Sequence, residues 1–260
     1  MGNCFSTPEP SAPVAPAPAT AAPAARPVEA GPVVAAEDAA PAANGAVTRA
    51  DSTNGVAPAA RIAVIYYSTY GHIATLAKKV LEGANSVPGV KADLFQVAET
   101  LPAAVLEKMH APPKDASVPI IEASQLPEYD GFIFGFPTRF GTMPAQFKAF
   151  LDATGGLWAS GALVGKGASI FTSSGTQGGG IETTVLTSLP VLVHHGIAYI
   201  PTGYSYGASL FSNDAVRGGT AYGVSTLAGA DGSRQPTELE LGYAVHQGKY
   251  VAGVIRKLAA

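Results

Sequence analysis

From residue 61 onward the chain alternates unbroken apolar runs with apolar positions at helical spacing. Arg61 to Tyr67 (RIAVIYY) is a continuous run, which predicts a strand buried on both faces of a parallel sheet. Ile73, Leu76, Ala77, Val80 and Leu81 recur at helical intervals and predict a helix over 73–84. Residues 90–97 alternate and predict a second strand. Residues 130–136 predict a third, 167–172 (GASIFT) a fourth and 197–200 a short fifth. Helices are predicted over 143–153, over 182–194 with a kink at Pro190, and over 236–258, opened by Gln235-Pro236-Thr237-Glu238. Five strands alternating with helices define an α/β fold with a doubly wound five-stranded parallel sheet. Ligands of such sheets sit outside the carboxyl ends of the strands, so the loops there carry the chemistry. Residues 201–234 read as a long Gly-rich irregular connection, a functional or interfacial element.

Residues 1–60 lack this pattern. They are dominated by Ala and Pro, contain no Leu or Ile, and hold one aromatic, Phe5. Such a segment buries too little apolar surface to offset its ordering entropy, so it reads as a disordered, extended tether before a globular domain over 61–260. The opening Met1-Gly2-Asn3-Cys4-Phe5-Ser6 fits N-myristoylation at Gly2. One myristoyl chain binds membranes with K of roughly 10⁴ M⁻¹, so residence needs a second signal. The tether holds only Arg26 and Arg49 and no Lys, which leaves Cys4, the single cysteine, as a palmitoylation site. The expectation is a peripheral, lipid-anchored protein on the cytoplasmic face of the plasma membrane. A net charge of −3 without a basic stripe gives no footprint for nucleic acid. One cysteine excludes a disulfide within the chain, and no histidine pair has metal-ligand spacing with a nearby carboxylate, so no metal is expected.

Three strand-end loops stand out. Ser68-Thr69-Tyr70-Gly71-His72-Ile73 offers hydroxyls and free backbone N–H groups at a helix start, a seat for phosphate. It has neither the lysine of an ATP-type P-loop nor the glycines of a dinucleotide fingerprint, and a plain capped helix start is the alternative. Thr138-Arg139-Phe140-Gly141, between prolines, makes a rigid platform for a flat ring, or a simple turn. Ser173-Ser174-Gly175-Thr176-Gln177-Gly178 allows close backbone approach to a ligand, or is merely flexible.

The motifs YYSTYGHI, PTRFGTMPAQFKAFLDATGGLWASGALVGK, SSGTQGGG, HHG, RGGTAYG and GADGSRQPTELEL, in this order, resemble the WrbA-type NAD(P)H:quinone oxidoreductases, which are flavodoxin-like FMN proteins. The resemblance spans about residues 61–258. It implies that Ser68 to Ile73 wrap the FMN phosphate. It implies that Thr138 to Gly141 line the isoalloxazine and that Ser173 to Gly178 contact the ring and ribityl chain. Gln177 departs from the family pattern. By the same resemblance His194 reaches the flavin from a neighbouring subunit, Tyr70 contacts NADH or NADPH, and Trp158 walls the quinone pocket. A homo-oligomer, dimer or tetramer, is implied.

The chemistry implied is two-electron quinone reduction by NAD(P)H in ping-pong order, as protection against oxidative stress. His194 would stabilise charge or donate a proton; its alternative is packing between subunits. Arg217, Asp231 and Arg234 read as structural, and His110 and His246 as surface residues. Two other readings of the whole chain stand beside the enzyme: a flavodoxin-type electron carrier, and a non-catalytic protein that organises a membrane domain or regulates a stress response.

Overall fold

A computed structural model of the protein describes residues 60–260. The proposed tether and its acylation sites, Gly2 and Cys4, lie outside the described residues. The strands are β1 (Ala60–Tyr66), β2 (Val90–Gln96), β3 (Gly131–Pro137), β4 (Gly167–Ser174), β5 (Ala198–Tyr199) and β6 (Ser225–Leu227). The helices are α1 (His72–Asn85), α2 (Ala103–Lys108), α3 (Ala145–Asp152), α4 (Gly155–Ala159), α5 (Ile181–Leu186), α6 (Leu189–His194) and α7 (Glu238–Leu258). The sheet is parallel, in the order β2-β1-β3-β4-β5, with β6 also on β4. This is the doubly wound order of flavodoxin-like folds.

The apolar runs form central strands because both faces are covered. Ile62, Val64 and Tyr66 point toward α1 and α7, while Ala63, Ile65 and Tyr67 join the Phe132, Phe134, Phe136 and Phe147 cluster on the other face. Helices α1 and α7 pack backbone to backbone. A Cβ on Gly83 would lie 1.9 Å from the Val245 carbonyl oxygen, and one on Gly248 would lie 2.0 Å from that of Val80. Only glycine permits that approach.

Three sequence expectations change. The predicted helix over 182–194 is two helices, α5 and α6, broken before the proline. Pro190 sits in the first turn of α6, where its missing N–H goes unused. The 201–234 connection is not structureless: it holds a 3₁₀ turn, Ala208–Leu210, and strand β6. The fifth sheet position is consequently split. β5 pairs the start of β4 (Gly167, Ala168) and β6 pairs its end (Thr172 to Ser174). His246 is half-buried rather than superficial. It bonds the Ser205 hydroxyl at 2.8 Å and packs on the rings of Tyr206, Tyr243 and Tyr250.

Candidate active site

Sheet register brings the loops together. Tyr66 pairs with Gly135 and Pro137 with Ser173, so Ser68, Pro137 and Ser173 emerge at one height. Ser174 pairs with Leu227, and Ala228 N–H then donates to the Ser174 carbonyl at 2.8 Å. The split fifth strand thus delivers a fourth loop. Together the four enclose a cavity of about 120 Å³, lined by Ser68, Thr69, Tyr70, His72, Ile73, Pro137, Thr138, Arg139, Ser173, Ser174, Gly175, Ala228 and Gly232.

One end of this cavity is built for an anion. Gly71 caps α1 at φ 94°, a conformation that strains any residue with a Cβ. The first-turn N–H groups of His72, Ile73 and Ala74 that follow have no carbonyl partner within the helix, and His72 and Ile73 line the cavity. Gly71 N–H is itself held by the Ser68 hydroxyl at 3.0 Å. Arg139 donates to Thr69 Oγ1 at 3.3 Å and to the Thr138 carbonyl at 2.9 Å, which makes it the guanidinium of the cavity.

Two buried relays hold this end. In the first, the Thr69 hydroxyl donates to Tyr67 Oη at 3.5 Å and Tyr67 donates to Glu99 at 3.0 Å. Glu99 also accepts from Gln146 and from the N–H groups of Thr100 and Leu101, and pairs with Lys114 at 3.0 Å. Burial works to raise the Glu99 carboxyl. Hydrogen bonds from Lys114, Leu101, Gln146 and Tyr67 outweigh it and hold the pKa at about 2. Lys114 donates on to the Ser68 carbonyl at 2.7 Å, so a lysine supports the seat from behind although none lines the cavity.

In the second relay, His72 Nε2 lies 2.8 Å from the Arg234 carbonyl. A carbonyl only accepts, so the imidazole proton sits on Nε2. Arg234 pairs with the fully buried Glu240 at 2.9 Å, which also accepts from Thr226 and from the N–H groups of Gly218 and Thr237. Burial pushes Glu240 up, but the Arg234 guanidinium and these donors win and hold its pKa low. Glu240 is at the same time the third residue of α7 and closes a capping box with Thr237. The second relay passed unseen in the sequence. GADGSR was legible as structural, yet Ala228 and Gly232 line the cavity, and a helix-start acid gives no sign of burial.

The other end is open. Arg139 and Thr142 pair in a two-residue hairpin whose tip is Phe140 (φ 53°) and Gly141 (φ 79°). Phe140 is fully exposed, and Tyr70 and Trp158 are more than half exposed. Tyr70 Oη reaches the Met109 carbonyl at 3.2 Å. Trp158 stands on α4, and it does not line the cavity. Thr176, Gln177 and Gly178 are exposed beyond it, with Gln177 on a separate cavity beside Arg217. His194 ends α6, just before β5 joins the first residues of β4. That is the amino end of the sheet, opposite the cavity, so a single chain does not bring His194 to the site. His195, its neighbour, is buried, with Nε2 2.8 Å from Thr154 Oγ1; burial, then the adjacent His194, lowers its pKa.

An anion seat of amides, hydroxyls and one guanidinium at the β1/β3 switch point, beside an open aromatic shelf, lies where flavodoxin-like folds bind FMN. Residues 60–210 match the profile described as NADPH-dependent FMN reductase, and the chain belongs to that family. It is 56% identical over 200 residues to quinone-oxidoreductase QR2 of Triphysaria versicolor, covering 77% of this chain and 97% of that protein. It is also 56% identical over 190 residues to NAD(P)H quinone oxidoreductase YCP4 of Candida albicans, covering 73% of this chain and 66% of that protein. Among solved structures, the WrbA-like flavodoxin of Agrobacterium tumefaciens shares the fold at a TM-score of 0.54 and 24% identity, over 76% of this chain and 98% of that one.

Proposed function

We propose that the protein is an FMN-dependent NAD(P)H:quinone oxidoreductase that works in ping-pong order at a membrane surface. The observation that carries this is the anion seat: first-turn N–H groups of α1, two hydroxyls and Arg139 at the switch point. The seat fits a phosphate monoester. The cavity of about 120 Å³ has room for that end and the start of the ribityl chain, so the isoalloxazine lies outside, on the shelf of Thr138 to Gly141. Bound there, FMN supplies two-electron hydride chemistry between NAD(P)H and a quinone.

The chain's own residues do the positioning. Ser68 to Ile73 and Arg139 hold the phosphate, and Ser173 to Gly175 face the ribityl chain. Phe140 and Tyr70 offer apolar area to a nicotinamide or quinone ring that stacks on the exposed flavin face. Both substrates then compete for one slot, which imposes the alternating order. Trp158 walls the quinone pocket, and His194 serves a neighbouring copy's site, where it donates a proton to the reduced quinone or stabilises its charge. Acyl chains on Gly2 and Cys4 hold the protein at the cytoplasmic face of the plasma membrane.

The test is an anaerobic titration of the FMN-loaded protein. The expected result is that NADH or NADPH bleaches the flavin absorbance and benzoquinone restores it. A yellow protein inert to both nucleotides defeats the proposal and leaves an electron carrier.

A further inference from the structure

Trp158 is the single tryptophan of the chain, and it stands more than half exposed on a helix of five residues. So short a helix does not hold itself, and its position comes from ties to the rest of the molecule. The segment around it, residues 154–165, is tied at both ends to the turn that follows α6, at His195 and Gly196.

The first tie is buried. Thr154 is the N-cap of α4, and its carbonyl accepts from the N–H groups of Leu157 and Trp158 at 2.9 and 3.0 Å. A threonine at that position ordinarily caps the helix with its hydroxyl. Here the hydroxyl makes no cap bond; it donates to the Leu151 carbonyl at 2.6 Å and meets His195 Nε2 at 2.8 Å. The carbonyl takes the one hydroxyl proton, so the imidazole is the donor of the second bond and carries its proton on Nε2. His195 Nδ1 is buried without a partner, which leaves the ring this one polar bond. Both side chains are shielded from water, where a hydrogen bond is strongest. The second tie lies beyond α4, where Gly165 N–H donates to the Gly196 carbonyl at 3.0 Å. Gly196 (φ 67°) passes so near that an added Cβ would lie 3.1 Å from Val164 Cγ2.

We infer that His195 is a positioning residue: through Thr154 it sets α4 and so the indole of Trp158. In His194-His195-Gly196 the first side chain is exposed and the next two residues clamp the Trp158 segment. Both residues given to the quinone end thus depend on one turn. The consequence for the quinone rests on the function proposed above, in which Trp158 walls the pocket; the clamp itself does not.

The test is the fluorescence anisotropy of Trp158 in the FMN-loaded full chain, where a single tryptophan makes the signal its own. Thr154→Val and His195→Leu each remove the bond and should lower the anisotropy, while Thr154→Ser keeps the hydroxyl and the native value. Should His195→Leu not fold, Thr154→Val, close to the native shape, carries the test. The KM for benzoquinone should rise about three- to tenfold in Thr154→Val, with FMN affinity unchanged. In a Trp158→Leu background Thr154→Val should add nothing to that KM. Native anisotropy in both bond-deleting variants, or the full KM effect repeated without Trp158, overturns the inference. Lowered anisotropy with an unchanged KM upholds the clamp and removes Trp158 from the quinone pocket. The anisotropy needs no turnover, so a protein inert to NAD(P)H fails the proposed function while this measurement still decides the clamp.

Discussion

The phosphate end and the ring end of the candidate site are built in opposite ways. At the phosphate end every side chain is held from behind, by Glu99 through Tyr67 and by Glu240 through Arg234 and His72. At the ring end Phe140 sits in a left-handed conformation and is fully exposed, Trp158 stands apart on α4, and His194 is at the far edge of the sheet. On the proposed reading, one chain carries the anchor and a neighbouring copy supplies His194, so binding of FMN is expected of the single chain and full quinone turnover of the assembly.

Four substitutions test this contrast. Glu240→Ala leaves the Arg234 guanidinium partly buried without its carboxylate, and should destabilise the fold by about 3 to 5 kcal/mol in denaturant unfolding. FMN affinity should fall with it, because Arg234 also fixes His72; unchanged stability would remove the second relay from the account. Glu99 comes next. Its folded pKa of about 2 lies below the ordinary carboxylate value, so its contribution is complete above that value and disappears as pH falls toward about 2. Discounted for solvent screening, the contribution is at most about 2 to 3 kcal/mol, and Glu99→Gln should flatten that acid limb of the stability profile. Gly248→Ala forces α1 and α7 apart and should lower stability by about 2 kcal/mol, without moving the KM for either substrate. The smallest effect runs the other way. Phe140→Gly relieves the left-handed strain and should stabilise the isolated fold by about 1 kcal/mol, while quinone turnover drops.

The sequence made the anchor legible and the chamber much less so, for a physical reason. Strand β1 and helix α1 announce themselves by apolar spacing, and Ser68 to Ile73 are local in the chain, so pattern and position coincide. Strand β6 has three residues inside a Gly-rich stretch and becomes a strand only because β4 offers it an edge. That pairing places Ala228 and Gly232 in the cavity, and nothing local foretells it. Glu240 reads as a helix-start acid, and only the fold around it makes it a buried ion. Pro190 suggested a kink, yet the break falls earlier, at Thr187-Ser188, where the Ser188 hydroxyl bonds the Thr184 carbonyl at 2.7 Å. His194 and His195 look alike in sequence; one is exposed and the other buried because successive residues at the end of α6 point in different directions, and the chain turns only after them, at Gly196 (φ 67°).

The most direct measurement compares the affinity of the protein for FMN with that for riboflavin, by quenching of flavin fluorescence. The two ligands differ only in the phosphate. A seat of α1 amides, Ser68, Thr69 and Arg139 predicts FMN tighter by at least about a hundredfold. Equal affinities would mean that the seat does not hold the phosphate, and the account of this site would fail there.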